Sequence, residues 1–373
     1  MDLLFPMGIA TGDAFCNRVA ERAHLIKNIE HNRHTVLLAP RRYGKTSLVN
    51  QVMVELKLPY CDMDFLLCAN SQAVKVKIVE KIGELLFHLL PKTIQAKEKI
   101  LTTFKKMRPE IVLSAAGQKV ILHMPDNESS AEDTICDVLM NLDKAAIAAQ
   151  KKVLIFMDEF QQIGQLNDQY TVEAAIRHAV ERCKNVSYVF SGSNRHMLLQ
   201  MFSEKSRPFY KLCETMILQR IAENDYSAFI QKQAKTKWKK ELSHEVLQFI
   251  LSLSERHPYY VNLICNHLWL ESGFPTIEKI ELFWQRYLEL EKSSFISELT
   301  SLANNQKLVL LALAKKPTQH PFHNDYLQMT GLSVSSQKQA LNKLILKDLV
   351  FTDEAGMIRV LDPAMKTYMR LLA

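Results

Sequence analysis

The stretch that most constrains this chain is Ala39-Pro40-Arg41-Arg42-Tyr43-Gly44-Lys45-Thr46-Ser47. Ahead of it, Thr35-Val36-Leu37-Leu38 reads as a short buried strand, and a helical pattern resumes from Lys45. Strand, loop and helix at this spacing describe a phosphate-binding loop, because each residue type answers a physical need. Gly44 permits a tight turn that aims successive backbone N–H groups at a phosphate. The helix beyond adds the positive end of its dipole. Lys45 has the reach and charge for β- and γ-phosphates, and the Thr46 hydroxyl is a hard oxygen suited to Mg2+. The expected nucleotide contacts are therefore Pro40, Arg41, Arg42, Tyr43, Gly44, Lys45, Thr46 and Ser47. Ala39 stands where a first glycine is usual, which limits left-handed φ at that point.

A second stretch, Val153 to Gln161, is an apolar run too short for a helix and reads as a strand buried on both faces of a parallel sheet. It ends in Asp158-Glu159. Carboxylates at the C-terminal end of such a strand lie where an α/β sheet binds ligands. Asp158 is placed to hold Mg2+ with Thr46, and Glu159 to polarise an attacking water. Val186 to Phe190 reads as another strand, followed by Ser191-Gly192-Ser193-Asn194-Arg195. Ser193 is a candidate contact to the γ-phosphate or its water. Arg195 and Arg207 are candidates for stabilising phosphate charge, since a planar, permanently charged fork suits that role. Tyr60 to Cys68 and Met216 to Ile221 read as further strands.

Helices are expected at Phe15 to Glu30, at Ser71 to Leu89 with Val74, Ile78, Ile82, Leu85, Leu86 and Leu89 on one face, and at Ala131 to Gln150. Ile111-Val112-Leu113 and Val120-Ile121-Leu122 flank Ala115-Ala116-Gly117, a β-hairpin pattern. From Glu223 the sequence turns all-helical, with caps expected at Asn224-Asp225, Ser243 and Thr276. Pro258 opens one helix, and another is expected over 277–291. After Lys292-Ser293-Ser294, three helices at 305–314, 324–329 and 334–347 precede a hairpin signal at Asp353-Glu354-Ala355-Gly356. Helix, turn, helix and β-wing is the winged helix-turn-helix pattern. Its third helix is expected to expose Ser336, Gln337, Lys338, Asn342 and Lys343, groups able to touch DNA phosphates or base edges. The acidic wing tip, Asp353 and Glu354, weighs against DNA contact. A protein or intramolecular role is the alternative.

Composition excludes little. Hydrophobic residues make up 47% and charged residues 23%, as in ordinary globular domains, and the formal net charge of +7 permits an acidic partner without demanding one. No apolar run suffices for a membrane span, and the N-terminus lacks the basic and apolar regions of a signal peptide. Seven cysteines without Cys-x-x-Cys spacing fit a reducing, cytoplasmic setting and no zinc site.

Taken together, the loop APRRYGKTSL, the strand VLIFMDEFQ, the segment FSGSNRHML, the SRPFY stretch, a helical lid and a C-terminal winged helix resemble the STAND-type P-loop ATPases, relatives of AAA+ proteins. The match is nearest to the prokaryotic branch whose loop reads G-P-R-R-x-G-K-T-S. The resemblance implies an α/β P-loop ATPase core over 1–221 with a parallel sheet in the order 5-1-4-3-2. It further implies a helical lid over 222–292 and a winged helix-turn-helix domain over 293–373. Lys45 and Thr46 match the Walker A positions, Asp158 and Glu159 the Walker B, and Ser193 and Arg195 the sensor 1 region. FCNRVAE is similar to the family's F-x-x-R-x-x-E box, which puts Arg18 beside the adenine. His257-Pro258 stands where Gly-x-Pro is common in the lid, so Pro258 is the lid position toward the nucleotide. The implied activity is that of an ATPase with ATP, ADP and Mg2+, acting as a nucleotide-dependent switch. Its partners would be a second copy reached through an arginine finger at Arg207, another protein, or DNA through residues 334–347. A DNA-binding regulator or mobile-element factor is the rival expectation.

Overall fold

The structure is a computed structural model that describes residues 4–90, 94–114, 117–123 and 130–372. Its contacts divide the chain into two compact units, Arg18–Gln219 and a second formed by the N-terminal segment through Asn17 with Arg220–Ala373.

The Arg18–Gln219 unit is an α/β layer structure. In chain order it contains α1 (Val19–Glu30), β1 (Thr35–Leu38), α2 (Lys45–Leu56), β2 (Tyr60–Asp64), α3 (Ser71–Leu89), α4 (Ile94–Thr102), β3 (Pro109–Ser114), β4 (Gly117–Leu122), α5 (Ala131–Ala149), β5 (Val153–Asp158), α6 (Gln169–Arg182), β6 (Val186–Gly192), α7 (Arg195–Ser203) and β7 (Glu214–Ile217). Five strands form one parallel sheet in the order β2-β5-β6-β1-β7. Numbered by their order among the sheet strands, this is 5-1-4-3-2, as expected. The central strands β1 and β6 are wholly buried, whereas β2, at an edge, alternates exposed and buried residues. The apolar set expected on α3 is buried without exception, and its start is capped by Asn70, whose side chain accepts from the Ala73 N–H. The expected hairpin is β3–β4, paired antiparallel from Pro109↔Leu122 to Ser114↔Gly117; Ala115 and Ala116 lie outside the described residues. Because β1 aligns with β6 on one side and β7 on the other, its C-terminal end delivers the loop beside Gly192.

The second unit is helical with a small wing. It comprises α8 (Glu223–Trp238), α9 (His244–Leu253), α10 (Pro258–Leu270), α11 (Ile277–Thr300), α12 (Asn304–Lys315), α13 (Asn324–Thr330), α14 (Val334–Leu346), the antiparallel pair β8 (Val350–Thr352) and β9 (Ile358–Val360), and α15 (Pro363–Leu372). Phe5 is buried edge-on against Trp269 and Phe229, while Asn262 and Asn266 donate to the carbonyls of Pro6 and Phe5. Arg220 ties the helical part to the wing region. It donates to Glu255 at 2.8 Å and to the Leu361 carbonyl at 2.9 Å, and lies over the Phe351 ring. Lys366 adds a second ion pair to Glu255.

Four expectations need correction. α1 begins at Val19 and not at Phe15, because Asn17 and Arg18 both adopt left-handed φ and cannot propagate a helix. α8 is preceded by Ala222, so Asn224 and Asp225 sit in its first turn and do not cap it. α11 does not stop at 291: Lys292-Ser293-Ser294 contains neither glycine nor proline, and the helix runs through to Thr300. Gln337 is not exposed. It is fully buried in α14, where its carbonyl accepts from the Thr330 hydroxyl and its amide donates to the Pro321 carbonyl.

Candidate active site

The loop between β1 and α2 takes the shape its residues allow. Left-handed φ falls on Arg42 (61°) and Gly44 (84°). Ala39 is not among the described residues with positive φ, so alanine is no obstacle at that position. Arg41 and Arg42 are exposed, whereas the Tyr43 side chain is buried, pinning the middle of the loop. Lys45 is buried, and its ammonium donates to the Ala39 and Pro40 carbonyls at 3.1 Å each. The amine is thus folded back over the loop whose N–H groups open α2. Ser47 follows in the first turn of that helix.

Arg18 braces the loop from outside. Its guanidinium is buried, donating to the Tyr43 carbonyl at 2.9 Å, the Gln219 carbonyl at 3.0 Å and the Glu21 carboxylate at 2.8 Å.

The end of β5 meets the start of α2 across 112 residues of sequence. The Thr46 hydroxyl donates to Asp158 Oδ2 at 2.9 Å. The other Asp158 oxygen accepts from the Ser191 hydroxyl and, at 3.0 Å, from the Glu159 N–H. Glu159 itself sits at φ 51°, a strained conformation for a non-glycine residue that costs on the order of 1 kcal/mol. Its Oε2 accepts from the Ser193 hydroxyl at 2.7 Å, the Ser193 N–H at 3.3 Å and the Gln161 amide at 2.5 Å. Partial burial works to raise the Glu159 pKa. The hydrogen bonds from Gln161 and Ser193, with the charge of Lys45, outweigh it and hold the carboxyl below its ordinary value.

The arginines fall in different surroundings. Arg195 is the first residue of α7, directly after Asn194, whose side chain caps that helix. Arg207 is tied to α6: it pairs with Glu173, donates to Gln169 at 3.3 Å and lies over the Tyr170 ring. Burial pushes the fully enclosed Glu173 carboxyl up to about 7 against the pull of Arg207. Pro258 is the first residue of α10 in the second unit, behind His257. The fold therefore gathers Arg18, the loop, Asp158, Glu159 and Ser193 in one place, sets Arg207 against α6, and puts Pro258 in the other unit.

Three residues escape a reading of the motifs. Ser191 and Gln161 are buried polar groups inside apolar segments. Glu173 interrupts the buried stripe of Val172, Ile176 and Val180 on α6, a periodicity signal that was available in the sequence.

A parallel sheet in this order, a glycine-lysine-threonine loop at the end of β1 and paired acids at the end of β5, one strand removed across β6, define the fold of the P-loop ATPases, joined here to a winged helix domain. The match to the family described as probable winged helix domain covers residues 293–371. Among solved structures, a Walker-type ATPase of Pyrococcus abyssi is similar over 98% of this chain and 99% of its own, with a TM-score of 0.70 and 16% identity. The ORC2 protein of Aeropyrum pernix, solved in ADPNP–ADP complexes, is similar over 100% of this chain and 97% of its own, with a TM-score of 0.53 and 12% identity. At such identities the likeness is one of fold. No curated protein matches the sequence.

Proposed function

We propose that this chain is a nucleotide-dependent switch of the STAND and AAA+ kind, which binds ATP with Mg2+, hydrolyses it slowly, and thereby controls assembly or binding of a partner. The observation that carries the proposal is the 2.9 Å hydrogen bond between Thr46 and Asp158. It joins a hydroxyl at a helix N-terminus to a carboxylate at a strand end, both hard oxygen donors, beside a buried lysine.

Thr46 and Asp158 would hold Mg2+, which when bound neutralises phosphate charge. Lys45 would exchange its two loop carbonyls for β- and γ-phosphate oxygens, and the N–H groups of residues 40–47 would cradle the β-phosphate. Glu159 would orient and polarise the attacking water. Ser193 and Arg195 would touch the γ-phosphate within the same subunit, Arg18 would serve the adenine side, and Arg207 would act on a neighbouring copy. The test is calorimetry with Mg·ATP. Wild-type protein should bind and Lys45→Ala should not, whereas equal affinity in the variant would remove the loop from the site.

A second reading, an ATP-licensed DNA-binding regulator or mobile-element factor, gains from the wing. Asp353 is not a free acid: it accepts from Arg359 at 2.6 Å and from the N–H groups of Ala355 and Met357. Lys338, Asn342 and Lys343 are exposed on α14. Binding to duplex DNA that weakens steeply with salt would favour this reading, and none at low salt would favour the first. All seven cysteines are free thiols, which supports a cytoplasmic setting. No described helix is long and apolar enough to cross a membrane.

A further inference from the structure

Gln161 has no place in the chemistry set out above, yet it is almost completely buried beside the catalytic carboxylate. It lies in the short 3-10 helix Phe160–Gln165 that follows β5. Its amide nitrogen is 2.5 Å from Glu159 Oε2 and 3.5 Å from Ser193 Oγ. The orientation of the amide is fixed by chemistry, since the reverse would set its oxygen against a carboxylate. Its own Oε1 is buried without a hydrogen-bond partner among the described residues. That oxygen lies against Gly192, where an added Cβ would sit 1.8 Å away. Only glycine at this point of β6 leaves room for it.

The hydrogen bonds to Glu159 are one-sided. Ser193 Oγ, Ser193 N and Gln161 Nε2 all converge on Oε2. None of these donors reaches Oε1. One carboxylate oxygen is anchored to the end of β6, and the other remains for a water.

We infer that Gln161, seated by Gly192 and acting with Ser193, is a positioning residue that locks one oxygen of Glu159 so that the other meets the attacking water. The inference rests on the ATPase reading and deepens it. Positioning of this kind governs turnover and not nucleotide affinity, because the anchored group touches water in the reaction and not the bound nucleotide.

The experiment is steady-state ATP hydrolysis, kcat and KM measured separately, for wild-type protein, Gln161→Met, which keeps the volume, and Gly192→Ala, which keeps the glutamine but displaces it. Both variants should lower kcat by about tenfold or more while the KM for ATP stays within about twofold. Unchanged or faster turnover would overturn the inference, the latter by making Gln161 a restraint on Glu159. A KM for ATP that rises in step with the fall in kcat would overturn it as well, reducing Gln161 to a packing role. Should one variant fail to fold, the other gives the same readings. If wild-type protein neither binds nor hydrolyses Mg·ATP, the ATPase reading itself falls; if wild-type protein turns over and the variants match it, only this inference does.

Discussion

Arg18 donates to the backbone carbonyl of Tyr43 at 2.9 Å, so the first residue of the Arg18–Gln219 unit grips the middle of the phosphate loop. The same guanidinium holds the carbonyl of Gln219, the last residue of that unit, at 3.0 Å. Hydrogen bonds from a charged donor are each worth about 1.5–3 kcal/mol, and the acceptors are left unsatisfied when the donor goes. Arg18→Met should therefore destabilise the protein by about 2 kcal/mol in urea unfolding. It should also weaken ATP binding by about tenfold through a slackened loop. A variant as stable as wild type, with equal affinity, would show the contact to be idle.

Thr46→Val keeps the shape of the side chain and removes the hydroxyl that faces Asp158. ATP binding should lose most of its dependence on Mg2+, while metal-free binding changes little. Calorimetry with and without the cation reads this directly, and an undiminished Mg2+ effect would move the metal elsewhere.

Sequence reasoning reached those parts of the site in which residue type and spacing are dictated by chemistry. Gly44-Lys45-Thr46 and Asp158-Glu159 are such cases, because a tight turn, a long cation and hard oxygens at strand ends allow few substitutes. The sheet order followed from the resemblance and matches the strand pairing. What stayed illegible depends on tertiary neighbours. Gln161 looks like the polar end of a strand until Gly192 is seen to make room for it. Gln337 looks like a solvent-facing helix residue until Thr330 and Pro321 close on it. Left-handed φ at Asn17 has only the weak asparagine preference as its signal and at Arg18 none, so residue type alone starts α1 too early. Arg207 carried a motif, but its partner Glu173 lies on a helix that the motifs pass over.

Arg207 should act on the nucleotide of a neighbouring copy. To do so it must first leave Glu173, Gln169 and the Tyr170 ring. An arginine supplied in trans is worth roughly 10³ or more in rate. Specific activity should consequently rise with protein concentration. Mixing inactive Lys45→Ala with inactive Arg207→Ala should restore some turnover, because one mixed interface pairs an intact pocket with an intact arginine. Flat activity on dilution, with no rescue on mixing, would rule the trans role out.

Acid should loosen the second unit through Glu255. Burial works to raise this carboxyl, but Arg220 and Lys366 overcome it and hold the pKa below the ordinary 4.5. A carboxylate with a depressed folded pKa contributes stability that is fully present above its unfolded value and is lost as pH falls through the folded one. Thermal stability should thus decline below about pH 4.5, and Glu255→Ala should flatten that decline. At pH 7 the same substitution should cost on the order of 3 kcal/mol, since Arg220 and Lys366 are left without their counter-charge. A neutral-pH stability equal to wild type would refute this.

The central claim is hydrolysis of ATP at the junction of the phosphate loop and the end of β5, with Glu159 working on the water. Phosphate release by Glu159→Gln, with Mg·ATP affinity measured on the same sample, tests it most directly. Affinity should match wild type while turnover falls by about a hundredfold or more, because general-base assistance contributes that much. Turnover at the wild-type rate in this variant would contradict it.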